Sequence, residues 1–140
     1  MNILEIRTLR GPNYWSGYWK KLIIMRLDIE DYEQKPTDKI ENFYERMQEV
    51  MPSLQTHGCS YKEEGGFYKR VKDGTWAGHV IEHFALELQT LAGMDVGYGR
   101  TRETGEPGIY NVVFAYFEEA VGQYTARAAV RRSSTCTGTF

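Results

Sequence analysis

Hydrophobic and polar positions alternate first between Asn2 and Arg10, where Leu4, Ile6 and Leu9 interleave with Ile3, Glu5 and Thr8, and this predicts a strand. A Gly- and aromatic-rich connection, GPNYWSGYWK at 11–20, separates it from KLIIMRLDI at 21–29, a short apolar run that predicts a buried strand. Pro36-Thr37-Asp38 then reads as a helix start, with Asp38 and Glu41 spaced as a capping box. Ile40, Phe43, Tyr44, Met47 and Met51 follow at helical spacing until Pro52. Residues 53–66 read as loop, and 67–73 as a short helix ended by Gly74. Thr75 is placed to cap a helix over 76–92, ended by Gly93. Gly97 to Gly105 is polar and punctuated by glycine, either a strand edge or a loop near a ligand. GIYNVVFAYF at 108–117 predicts a strand, 118–131 a helix, and 133–140 a loose polar tail. The irregular mixture predicts one α+β domain over 1–132: a mixed sheet packed with about three to four helices.

Composition changes this picture little. The chain has 140 residues, 41% hydrophobic and 26% charged, which suits a single domain with a core of its own. A net charge of -2 offers no basic field, so nucleic acid is not an expected partner. No apolar run reaches the length of a membrane span, and the N-terminal residues carry no apolar signal core, so a cytoplasmic location without membrane association is expected. The two cysteines, Cys59 and Cys136, define no disulfide framework.

The chemistry gathers on the helix WAGHVIEHFALELQTLAG. At about 100° per residue, Val80, Phe84, Leu88 and Leu91 share one side, widened by Ile81, Ala85 and Ala92. His79, His83 and Glu87 fall opposite, with Glu82 beside them. Histidines four apart rise from adjacent turns, and two such imidazoles can share one divalent ion, zinc above all. Glu82 completes an H-x-x-E-H pattern, the inverted zinc-peptidase helix motif, in which the carboxylate serves as general base. Glu87, one turn further on, is the first choice of third ligand; His57, Cys59, Glu63 and Glu64 are rivals. The residues alone leave two readings open: a metal centre, or a hydrogen-bonded structural His pair with Glu82 as its partner. Elsewhere, Arg100, Arg102 and Glu103 occupy a loop-like segment suited to carboxylate recognition or to plain solvation. Tyr14, Trp15, Tyr18 and Trp19 suit a stacking surface, with at least half of them expected in the core.

The blocks LEIRTLRGPNYW at 4–15, KLIIMRLDIED at 21–31, GGFYKRVKDGTWAGHVIEHFALELQTLAGMDVGYGRTRET at 65–104 and PGIYNVVFAYFEE at 107–119 resemble the N-terminal domain of cyanophycin synthetase, over roughly residues 1–132. The resemblance implies a domain that engages cyanophycin, a poly-aspartate with arginine on each side chain. In the family it sits beside ATP-grasp and Mur-ligase-like modules, and an oligomer is possible. Some members are understood to carry a metallopeptidase-like centre that cuts the polymer into primers. By position, His79 and His83 would then be ligands and Glu82 the base. The alternative is a docking module without catalysis. No ATP-dependent ligation is implied for this chain alone. A polymer of alternating charge would meet Arg100 and Arg102 through its carboxylates, and Glu63, Glu64 and Glu103 through its guanidinium groups.

Overall fold

In the computed structural model, which describes residues 1–58 and 61–138, β1 (Asn2–Leu9) pairs with β2 (Leu22–Asp28), and β2 pairs with β4 (Ile109–Ala115). β3 (Gly99–Glu103) closes the order β1-β2-β4-β3. The α+β class stands, but every pairing is antiparallel, so the sheet is not mixed. The reason is the short turn after β3. It returns the chain as β4 between β3 and β2, so the two strands separated by the helices never become neighbours.

Four helices follow: α1 (Phe43–Val50), α2 (Gly66–Asp73), α3 (Ala77–Leu91) and α4 (Glu119–Thr137). β2 and β4 are buried along nearly their whole length, as their β-branched runs demand. The core joins them to Phe43, Met47, Phe67, Ile81, Phe84 and Ala129. Of the aromatic connection, Trp15 and Trp19 pack against this core while Tyr14 and Tyr18 are exposed.

Three local expectations are corrected. The capping box does not form: residues 37–39 make a separate 3-10 turn, and α1 begins only after Asn42, whose φ of 59° lies in the left-handed region. The segment from 133 is not a loose tail as far as Gly138, because α4 continues to Thr137 and buries Ser133 and Cys136. Small residues there let the helix approach the core; Thr139 and Phe140 lie outside the described residues. Finally, α3 is buried almost all round from Ala77 to Glu87, whereas Leu91, expected on the apolar face, is 62% exposed. No helix among the described residues is long and apolar enough to cross a membrane.

The loop before α2 is fixed by backbone hydrogen bonds, Gly65 N–H to the Gln55 carbonyl at 2.7 Å and Phe67 N–H to the His57 carbonyl at 2.9 Å. A Cβ at Gly66 would lie 2.2 Å from the Gly58 carbonyl oxygen. Gly66→Ala therefore forces the His57 loop off α2. A loss of about 1–3 kcal/mol is expected by analogy with overpacked cores, read as a lowered urea midpoint, and an unchanged midpoint would show that the loop yields freely.

Candidate metal centre

All three histidines of the chain meet at one place. α3 supplies His79 and His83 from adjacent turns, and the pinned loop supplies His57. Phe67, fully buried at the start of α2, is the floor beneath them. Its ring stacks on His83 at 3.9 Å and 18°, and meets His79 edge-on at 5.6 Å and 89°.

The imidazoles form one continuous chain of contacts. Thr75 Oγ lies 2.9 Å from His79 Nδ1, His79 Nε2 lies 3.1 Å from His83 Nε2, and His83 Nδ1 lies 2.9 Å from His57 Nδ1. At the far end, His57 Nε2 is 3.5 Å from the buried Glu87 Oε2, which takes no full hydrogen bond among the described residues. Proton positions follow from that end. A carboxylate oxygen only accepts, so His57 Nε2 donates and His57 Nδ1 must accept from His83 Nδ1–H. His83 Nε2 then accepts from His79 Nε2–H, and His79 Nδ1 accepts the Thr75 hydroxyl proton. Every ring is neutral in this wiring. Thr75, expected to cap α3, gives the helix no side-chain cap and turns its hydroxyl to His79 instead.

The electrostatics agree. Burial, with Arg70 nearby, pushes His79 down to about 4. Burial, with His79 and His57 beside it, holds His83 well below 6.5, and burial lowers His57 against the pull of Glu87. Neutral imidazoles are what metal ligation requires. Glu82 moves the other way: burial lifts it to about 7, against the Thr101 hydrogen bond and the charges of Arg102 and Arg100. Thr101 donates to Glu82 Oε1 at 2.7 Å, and Glu82 Oε2 is 4.0 Å from His83 Nε2. The close approach of β3 that allows this needs glycine, since a Cβ at Gly99 would lie 2.8 Å from Glu82 Oε2.

His79, Glu82 and His83 together offer ligand atoms within 4.8 Å of one another. Two imidazole nitrogens facing each other beside a carboxylate fit a divalent ion, with a proton in the place the ion would take. Glu87 is not brought to this group; it reaches the pair only through His57. His57 in turn faces His83 from the side away from His79. Cys59 lies outside the described residues. Glu63 and Glu64 are exposed on the turn before α2 and line neither cavity at the site. Arg100, Arg102 and Glu103 do line one of these cavities, on edge strand β3. Sequence reasoning missed Phe67, Thr75 and Thr101; only the placement of Thr75 four residues before His79 carried a usable signal.

The chain matches the family model described as cyanophycin synthase-like N-terminal domain over residues 24–136. It is 59% identical, over its whole length, to a cyanophycin synthetase of Crocosphaera subtropica and 56% identical to one of Synechocystis sp.. Over 94% of its length it is 59% identical to a cyanophycin synthetase of Geminocystis herdmanii. It spans only 16%, 16% and 15% of these curated relatives, in that order.

Metal-free, the centre makes the fold acid-sensitive. The unfolded histidines take up protons below about 6.5, while folded His79 resists to about 4, so their contribution is complete above 6.5 and lost as pH falls towards 4. Glu82 opposes this, because its folded carboxyl binds a proton from about 7 rather than 4.5, which favours the fold as pH falls through that window. Three protons on the unfolded chain outweigh one on the folded. In chelator, the urea midpoint should fall between pH 6.5 and 4, less steeply in His79→Gln. A pH-independent midpoint would contradict the buried neutral cluster.

Proposed function

Because the chain belongs to the cyanophycin synthase-like N-terminal domain family, we propose that it engages cyanophycin and, at the His79–Glu82–His83 centre, cuts the polymer into short pieces that serve as primers for synthesis. The observation carrying this reading is the convergence of His79 Nε2 and His83 Nε2, 3.1 Å apart, beside a buried carboxylate near pKa 7. His79 and His83 would hold a divalent ion, zinc first among candidates, through these nitrogens. Such an ion supplies Lewis acidity towards the scissile carbonyl and its attacking water.

The remaining work falls to the chain's own groups. Glu82 takes the proton of the attacking water and passes it to the leaving amide nitrogen; an acid near 7 is matched to both transfers at neutral pH. Thr101 holds the carboxylate by Oε1, leaving Oε2 towards His83. The contact of His83 with His57, and of His57 with Glu87, fixes the orientation of the His83 ring and makes its outward nitrogen more basic, the role of outer-shell carboxylates at metal sites. With Nε2 given to the ion, His79 would carry its proton on Nδ1 and donate it to Thr75 Oγ, which would hold that ring in place. Glu87 thus serves as an orienting group rather than a ligand.

A second reading has its own observation. Each nitrogen of the three imidazoles faces a protein partner in the described structure, so the cluster is complete as a purely structural device. The domain would then dock cyanophycin without cutting it. Glu82→Gln separates the two. In the hydrolase reading it keeps metal and fold but loses release of soluble fragments from cyanophycin by about 100-fold or more, the scale of a general base. Normal cutting by the variant would reject Glu82 as base, and wild-type protein that binds polymer without ever cutting it would establish the docking module.

A further inference from the structure

Two surface helices that pack on each other carry opposite charges at the same spacing. On α4, Arg127 and Arg131 stand four residues apart, about 6 Å along the axis and about 40° around it, so both project from one face. Tyr124, 65% exposed, shares that face, and exposed Arg132 flanks it. On α1, Glu45 and Glu49 repeat the spacing, and both are exposed. We propose that these stripes form a self-complementary interface between two copies of this chain, related by a two-fold axis, with α1 of each copy against α4 of the other. The interface is independent of the chemistry at the three histidines.

Neither stripe is satisfied within its own chain. Among the described residues, Glu45, Glu49, Arg127, Arg131 and Arg132 have no ion-pair partner. The one side-chain hydrogen bond that any of them makes there runs from Arg127 Nη1 to the Gln123 carbonyl of the same helix, at 3.4 Å. Like charges four apart on a helix repel, and no acidic residue of α4 stands three or four positions from Arg127 or Arg131 to offset this. The helix dipole does not account for the placement either. The last turn of α4 holds no basic residue, and Glu49 stands in the last turn of α1, where a carboxylate is disfavoured.

A pair of carboxylates laid on a pair of guanidinium groups of equal spacing meets both charges at once. A two-fold axis makes that contact twice, because each copy offers one acidic helix and one basic helix. The helices are neighbours in the fold: Arg46 of α1 donates through Nη1 to the Cys136 carbonyl near the end of α4, at 3.4 Å, which keeps the two stripes close enough for one axis to serve both. Tyr124 adds flat aromatic area of the kind enriched in interfaces. A net charge of only -2 per copy leaves little overall repulsion to overcome. A polyanion would reward the arginines of α4 but be repelled by the glutamates of α1, whereas a second copy answers both.

The test is sedimentation velocity on the wild-type chain, on Arg127→Glu/Arg131→Glu and on Glu45→Arg/Glu49→Arg. All four positions are exposed, so both variants should keep the wild-type circular dichroism spectrum. Wild type should form dimers at high micromolar concentration in low salt and associate at least tenfold more weakly in about 0.5 M salt, where screening shortens the reach of surface charge. Each variant alone sets like charges against like in both contacts and should stay monomeric. Mixed in equal amounts, the two variants should dimerise again, because glutamate then faces arginine in both contacts. A monomeric wild type, an open series of larger species, variants that dimerise as wild type does, or a mixture no more associated than its components overturns the interface. So does a chain that stays monomeric while its α4 arginines bind an isolated acidic helical peptide, a result that would give the stripe to a different protein.

Discussion

Burial of three imidazoles against the face of Phe67 is the constraint on which the rest of this domain turns. A low-dielectric floor disfavours imidazolium, so the rings stay neutral and must satisfy one another. Once they do, the order of donors from Thr75 to Glu87 follows from a carboxylate at one end. A one-way chain of this kind presents His79 Nε2 and His83 Nε2 to each other, 3.1 Å apart, a self-satisfied arrangement in which the two nitrogens also lie within the spacing that one ion can bridge.

The fold is organised to bring the pieces of that chain together from distant sequence. The His57 loop is tied to the start of α2 by backbone hydrogen bonds, and Gly66 allows the approach. The turn between α2 and α3 delivers Thr75, with its N–H held by Thr37 Oγ at 2.9 Å. Edge strand β3 lies close on α3 through Gly78 and Gly99, so that Thr101 reaches Glu82. Burial of Glu82 between helix and strand then lifts its pKa into the range where it can both take and return a proton near neutral pH.

Much of this was legible from residue order, because the signals were local. The strand at 2–9 follows from a period of two, those at 22–28 and 109–115 from short apolar runs, and the helix over 77–91 from a period of 3.6. His79, Glu82 and His83 share a face of one helix, so their meeting needed only helical geometry. What the sequence hid was tertiary. The capping pattern at Asp38 lost to a 3-10 turn, and Asp38 came to lie against Gly74. The end of α4 looked loose because Ser133 and Cys136 are small and weakly hydrophobic, yet both are fully buried. Glu87 looked like a ligand by spacing, but a loop residue 30 positions earlier, His57, stands between it and the pair. Phe67 and Thr101 have no periodic or motif signature, and only the packing of α2 and β3 on α3 gives them their part.

The most direct test of the central claim is a zinc titration of the domain followed through the ring nitrogens of its three histidines by ¹⁵N NMR at neutral pH. Without metal, the account predicts neutral rings protonated at Nε2 in His57, Nδ1 in His83 and Nε2 in His79. One equivalent of zinc should shift His79 to the Nδ1 tautomer, leave the tautomers of His83 and His57 unchanged, and move the Nε2 signals of His79 and His83 together. Imidazolium rings at neutral pH, or ring nitrogens indifferent to zinc, would contradict it.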